Sequence, residues 1–277
     1  MAAAAAVPLF ERFMVVGMKA GGGSGAGSMV PEVLSEFQGC STMKFPGNVV
    51  NFCMPGGAPA ALDRMKAVDF TFVLTNKDGC RVYGVCRQML PYGPGGRYDV
   101  GRRFPECLCF LTRRPYVPLF EWLLQVLQVR RWTRPDSVTP FLEAAQARRP
   151  VAAQGGGSPI LTIPSVGGGA YDFTYTIPTR DSPVPLTDLG VGTLLTHLNP
   201  DLLRFVLGAI LSERRVIFLS GRLDILSRCI HAALALIHPF GWQHIFVPIL
   251  PSALVEVSGS GWGCLCVCVC VCMCACV

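Results

Sequence analysis

The chain has four histidines, His197, His231, His238 and His244, and these are its candidates for acid–base chemistry. His231 and His238 are seven apart, a spacing that lets both sit on one helix face. A general base needs a partner that orients and tunes it. The nearest carboxylate, Asp224, lies at the opposite end of that helical run. His244 follows Trp242 and Gln243 in the stretch HPFGWQHIFVPILP, where prolines bracket an aromatic patch and a Gln-His pair. An imidazole at a helix end or strand edge reads as a hydrogen-bonded structural residue. There is no GxSxG elbow, HExxH, Walker GxxxxGK[ST] or CxxC. Gly23-Ser24-Gly25-Ala26-Gly27-Ser28 fails GxGxxG at its last position, which argues against a dinucleotide site. Nothing in the sequence points to bond-making chemistry.

Sulfur is the other candidate. Seven body cysteines, Cys40, Cys53, Cys80, Cys86, Cys107, Cys109 and Cys229, are scattered without metal-site spacing and read as small buried apolar residues in a reducing compartment. Seven more alternate with Val, Leu, Met and Ala between Cys264 and Cys276. A strand would put all of these on one face, but no turn gathers them round an ion. A TG dinucleotide repeat read in frame spells Cys-Val-Cys-Val, and Glu256-Val257-Ser258 can be spelled as an exon–intron junction. The expectation is that Val257 to Val277 is intron read-through without evolved function, and that a transcript spliced after Glu256 exists.

The elements that would position these groups follow from patterning. With 277 residues, 51% hydrophobic and 15% charged, the chain can build one large domain or two modest ones. The formal charge is +6, and ten arginines against five acids between Arg97 and Pro150 supply +5 of it (10 − 5). Such a region favours an anionic partner, an acidic protein face, a lipid headgroup layer or a nucleic acid, of which nucleic acid is not expected here. The start, MAAAAAVPLF, lacks the flank and core of a secretory signal, so a cytoplasmic protein is expected. Asp69 to Met89 reads as a hairpin around Asn76-Lys77-Asp78-Gly79. Cys107 to Thr112 reads as a third strand and Val117 to Val129 as a helix with Pro118 in its first turn. Phe45 to Pro55 reads as an extended segment between prolines, and residues 134–184 as a Pro/Gly-rich linker. Asn199-Pro200-Asp201 starts a helix that Glu213-Arg214-Arg215 closes. Val216 to Ser220 reads as a strand buried on both faces, an apolar helix follows Gly221, and HIFVPIL reads as the next strand, giving a βαβ unit.

From Leu202 to Leu254 the chain closely resembles the central segment of DENN domains. The matching pattern is Leu211, Glu213, Arg214 and Arg215 at a helix end, then Ser220 in the turn. Pro239, Phe240, Trp242, Gln243 and His244 follow the next helix, with Pro248 and Pro251 spaced beyond. The upstream PLTDLGVGTLLTHLNPD looks like the start of that segment. LFERFMVVGM, FPGNVVNFCMP, the hairpin and PECLCFLTRRPYVPLFEWLLQVL resemble the family's upstream lobe. The resemblance spans residues 9–256. It implies a longin-like α+β lobe over 9–133 and a partial α/β (βαβ) lobe over 185–256, separated by the linker, with the tail at 257–277. The family's downstream portion is absent, which implies an unstable or inactive product.

The resemblance further implies a guanine-nucleotide exchange factor for Rab-family small GTPases in vesicle trafficking, peripheral to membranes and needing no cofactor or metal. The GTPase would dock across a cleft between the lobes. The motif residues are then mainly structural: Phe240 and Trp242 pack the helix end, and Gln243 and His244 bond backbone. Arg102-Arg103 and Arg113-Arg114 are the candidate contacts to GTPase or acidic membrane. Two alternatives stand beside exchange, a non-catalytic trafficking scaffold and a GTPase activator using one of these arginines as a finger.

Overall fold

The computed structural model describes residues 8–252, except 21–28, 40, 42, 44, 46, 58, 76–78, 93–101, 152–157, 164–171, 179–189 and 245. The Gly-Ser loop, most of the hairpin turn, the glycine-rich pieces of the linker and the Cys/Val tail expected from sequence lie outside the described residues.

Five antiparallel strands form the first layer. They are β1 (Arg12–Ala20), β2 (Met29–Phe37), β3 (Val68–Thr75), β4 (Arg81–Met89) and β5 (Glu106–Thr112), in the order β2-β1-β5-β4-β3. The hairpin expected at Asp69–Met89 is β3 and β4, paired from Val68 with Gln88 to Thr75 with Arg81, and Gly79 supplies a φ of +76° in the turn. The last strand in sequence, β5, sits in the middle and pairs with both β1 and β4. Its run from Cys107 to Leu111 is fully buried because both sheet faces are covered. Leu108 and Phe110 point to one side, and Cys107, Cys109 and Leu111 to the other.

Helix α1 (Val49–Cys53) covers the second of these faces. This corrects the extended segment expected at Phe45–Pro55. Val49, Phe52 and Cys53 recur at helical spacing and are all buried, but a single turn between prolines is too short to show a period. Helix α2 (Val117–Thr133) covers the first face, burying Leu119, Phe120, Leu123, Leu124 and Leu127. A 3-10 turn (Pro135–Ser137) leads to α3 (Val138–Ala147), whose Phe141, Leu142 and Ala145 join the same core. A two-stranded unit, β6 (Ile160–Ile163) with β7 (Phe173–Thr176), lies over α2. There Phe173 stacks on Trp122 with centroids 4.4 Å apart, and Tyr175 meets Tyr116 at 5.5 Å. The described part of the stretch expected to be a linker is therefore packed structure. Leu161, Ile163, Tyr175 and Ile177 of this stretch are buried in the core with α2 and α3.

The remaining elements are α4 (Val191–His197), α5 (Pro200–Leu211) and α6 (Leu223–Ala235). The cap expected at Asn199 is present, with the Leu202 N–H donating to Asn199 Oδ1 at 2.8 Å. The two strands of the expected βαβ unit are not present among the described residues. Val216–Ser220 is extended without a ladder and buries only one side, with Phe218 5% exposed against 46% for Ile217 and 52% for Leu219. An apolar run becomes a strand only beside a strand that accepts its hydrogen bonds, and no described neighbour does so here. The architecture is a mixed one, an antiparallel sheet with helices on both faces.

Helix α6 lies against β3. Thr71 pairs in register with Val85, whose side chain faces α2, so α6 occupies the α2 side of the sheet. Val73 enters the core of α4, α5 and α6. Thr71 Oγ1 lies 2.7 Å from His231 Nε2, and Phe246 meets the imidazole edge-on at 5.4 Å. On the opposite side of the same strand, Phe70 and Phe72 pack over α1. The Phe72 ring lies across Gly84, its cross-strand partner.

Two outcomes follow from this packing. A Cβ on Gly84 would stand 2.2 Å from the Phe72 ring tip, so Gly84→Ala lowers unfolding free energy by about 1–3 kcal/mol in urea titration. His231 is buried neutral, and burial pulls its pKa down to about 4 from 6.5. The unfolded chain then takes up its proton first. The neutral imidazole costs nothing above pH 6.5, and stability falls between about 6.5 and 4 by at most about 3 kcal/mol. His231→Gln keeps a partner for Thr71 and removes that part of the slope in unfolding measured across pH.

Candidate functional site

The motif residues gather at the two ends of α6. At the end of α5 the Arg214 N–H donates to Ala209 O and the Glu213 N–H to Ile210 O, a Schellman closure with Glu213 in the left-handed region at φ +54°. Glycine normally occupies that position. Glu213 occupies it here and places a carboxylate oxygen 3.3 Å from His244 Nε2. Among the described residues His244 meets a side chain from the end of α5 where a backbone partner was expected. Arg214 and Arg215 are exposed beside it. Ser220 Oγ accepts from the Arg222 N–H at 3.1 Å, and Arg222 pairs with Asp224 at 2.6 Å in the first turn of α6. The Asp224 pKa lies below the ordinary value, burial opposing a larger combined pull from hydrogen bonds and the Arg222 charge.

Beyond α6, Pro239 follows a cis bond from His238. Trp242 is buried at 8% exposure, as expected, whereas Phe240 is 70% exposed and packs no helix end. Gln243 donates to the nearby Gly241 carbonyl at 3.1 Å. The Trp242 carbonyl accepts from Arg81 Nη2 at 2.6 Å, and the Arg81 guanidinium lies over Phe246. Pro248 and Pro251 are buried, Ile249 enters the core beneath α1, and the Ser252 N–H donates to Pro55 O at 2.8 Å. The motif segment therefore straps across the first sheet, from β4 to the α1 side. Arg81, Phe246 and the Thr71–His231 contact carry no signal in the sequence, because only the register of β3 and β4 brings them to α6.

The candidate arginines do not converge. Arg102 and Arg103 precede β5, and Arg113 and Arg114 follow it, so a seven-residue strand keeps the pairs on the order of 20 Å apart. Arg113 Nε sits 3.1 Å from the buried carboxylate of Glu11, which also accepts from Ser41 Oγ. Arg114 lies over the Tyr116 ring and donates to its hydroxyl at 3.4 Å. Arg103 pairs with Leu62 through backbone and donates to the Pro91 carbonyl. Arg102 is exposed. Arg103 also lines a cleft of about 450 Å³ with Arg64, Lys66 and Arg87. Arg87 is held by Asp69 at 2.6 Å and by Gln128. Burial raises the Asp69 pKa, with Arg87 opposing it.

Between the two units, Arg228 of α6 reaches Glu121 of α2 at 3.4 Å. Burial raises the Glu121 pKa against the pull of that arginine. Among the described residues, the junction between the sheet unit (β1–β7 with α1–α3) and the helical unit (α4–α6 and the segment after it) is closed by an apolar seam, this ion pair, the Thr71–His231 contact and the Arg81 hydrogen bond to Trp242. Large apolar residues stay exposed on the second unit: Phe205, Leu211, Ile217, Leu219 and Phe240. Among the described residues, the sulfur groups that could hold a metal are Cys53, Cys86 and Cys107, all buried and with Sγ atoms within 4.8 Å of one another. No single helix among the described residues is long and apolar enough to cross a membrane.

Comparison with known proteins places these features in one lineage. Residues 31–89 match the uDENN domain model and residues 103–261 the DENN (AEX-3) domain model. Human DENN domain-containing protein 2A is 33% identical over 259 residues, covering 90% of this chain and 24% of that protein. Human DENN domain-containing protein 2C is 31% identical over 90% of this chain and 26% of its own length. Human DENN domain-containing protein 2D is 32% identical over 74% of this chain and 41% of its own. The chain thus spans about a quarter of the first two relatives. Because the DENN model covers more than half of the 277 residues and takes in the whole Glu213-to-Pro251 motif, the chain belongs to the DENN domain family.

Proposed function

We propose that this chain carries the upstream and part of the central segment of an exchange factor for a Rab-type small GTPase. Its family membership is the observation that carries this reading. The mechanism suits a protein without a paired base and nucleophile. An exchange factor binds the nucleotide-free GTPase more tightly than the GDP-bound form. By linkage, GDP then binds the complex more weakly by the same factor, and each 1.4 kcal/mol of that coupling is about tenfold. Geometry does the work, so the protein must hold a rigid surface. The closed seam between α6, β3 and β4 supports such a surface. The reading as a longin-like lobe is supported by the order β2-β1-β5-β4-β3, with α1 on one face and α2 and α3 on the other.

In this reading the GTPase docks where the two units meet, with Arg102 and the cleft cations at Arg64, Lys66 and Arg103 offered to its acidic surface or to anionic lipid. The protein works at the cytoplasmic face of trafficking membranes. A scaffold without exchange activity and an arginine-finger activator remain the competing readings. The pairing of Arg113 with buried Glu11 favours a structural role for that arginine over a finger.

The test is release of labelled GDP from a Rab panel with two catalysts, this chain and a form extended by the family's downstream segment, of which the extended form is the one expected to act. The expected outcome is accelerated release from one or a few Rabs and none from other small GTPases. Binding without faster release supports the scaffold. Faster single-turnover GTP hydrolysis that Arg113→Ala abolishes, with unfolding unchanged, supports the activator.

A further inference from the structure

Four buried thiols converge on one point between the sheet and α1. Cys86 of β4 stands opposite Cys109 of β5, and Cys107 lies two residues before it on the same face. Cys53, the last residue of α1, comes down onto them. All four are 0% exposed. The sulfurs of Cys53, Cys86 and Cys107 lie within 4.8 Å of one another, and Cys109 stands beside them as the cross-strand partner of Cys86. Cys80 and Cys229 lie outside the group.

We propose that these four cysteines form a site for a soft, thiophilic cation of the Zn²⁺ type, with Cys53, Cys86 and Cys107 as three ligands and Cys109 as the fourth. Thiolate is the ligand such ions select, and four sulfurs in a closed tetrahedral set are typical of structural zinc. Zn–S bonds of about 2.3 Å put tetrahedral sulfurs roughly 3.8 Å apart, so the spread of Cys53, Cys86 and Cys107 closes by small side-chain rotations, and Cys109, opposite Cys86, supplies the fourth corner. Ligands on two paired strands and one helix turn fix the distances, a task that CxxC loops do elsewhere. Sequence spacing could not show this, because the strand register alone brings Cys86 beside Cys109.

Each sulfur that ligates gives its proton to solvent and its lone pair to the cation, with no change of oxidation state. Apolar Phe52, Phe70 and Phe72 seal the site, so the ion loads as the chain folds.

The experiment uses the full chain with the seven tail cysteines changed to serine, which removes the other sulfur-rich segment. Zinc per chain is counted in the folded fraction after gel filtration, and Co²⁺ replaces zinc as a spectroscopic reporter. One equivalent of zinc is expected, with thiolate-to-cobalt charge transfer and the d–d bands of a tetrahedral sulfur set, and protons released on loading. Cys107→Val keeps an apolar core and should lower retained zinc about tenfold or more, while Cys229→Ser leaves it unchanged. Zinc should raise the unfolding midpoint of the tail-substituted chain but not of Cys107→Val. A folded protein that takes up no zinc overturns the proposal and leaves the thiols as packing groups. Zinc that Cys107→Val does not reduce overturns it equally.

Discussion

Strand β3 lies at the end of its sheet and is apolar on both faces, so each face must be covered. Its side chains alternate, so each face draws on a different part of the chain. Phe70 and Phe72 are buried beneath α1 from the same unit, whereas Thr71 and Val73 are buried by α6, more than 150 residues on in sequence. Burying an isolated hydroxyl beside an imidazole costs free energy unless the two satisfy each other. Thr71 and His231 do so at 2.7 Å. This contact fixes where α6 sits, and α6 in turn sets the position of everything after it, including the strap that returns across β4.

Two consequences reach the candidate site. The helix that follows the Glu213-Arg214-Arg215 turn is seated on the sheet on α2's side, tied to it by Glu121 and Arg228. The segment after it is held at Trp242 and Phe246 by Arg81, at the start of β4, and Phe246 packs on His231 as well. An exchange factor that acts by shape needs such redundancy. Conformational freedom in its own surface would take up the binding energy that must go into opening the GTPase. Glu213 fits the same logic. A non-glycine residue in the left-handed region costs of order 1 kcal/mol, and its carboxylate links one end of the motif to His244 at the other.

Part of this was legible from residues alone. The Asp69–Met89 hairpin, the Val117 helix with its early proline and the Asn199 cap all rest on local chemistry, and the structure has each of them. Elements that depend on distant partners were not legible. β2 is an outer strand with Pro31 and two glutamates, so it lacks a clean alternation. α1 is a single turn, and α3 hides in a stretch whose composition reads as a linker. The Val216–Ser220 run had the composition of a two-sided strand, but the described structure gives it no neighbour. At the site, ordered motifs picked out Glu213, Trp242 and His244, yet the roles of His244 and Phe240 differ from those expected because these depend on which surface each meets. The cysteine group was invisible for the same reason, since Cys53, Cys86 and Cys107 are separated by 33 and 21 residues (86 − 53 and 107 − 86).

The central claim is that a rigid two-part surface discriminates between states of a GTPase and performs no chemistry on it. Calorimetric titration of the extended form against one responsive Rab, nucleotide-free and GDP-loaded, measures that discrimination directly. The account predicts tighter binding to the nucleotide-free Rab, by the same factor by which the extended form weakens GDP affinity. Equal affinity for the two forms would contradict it.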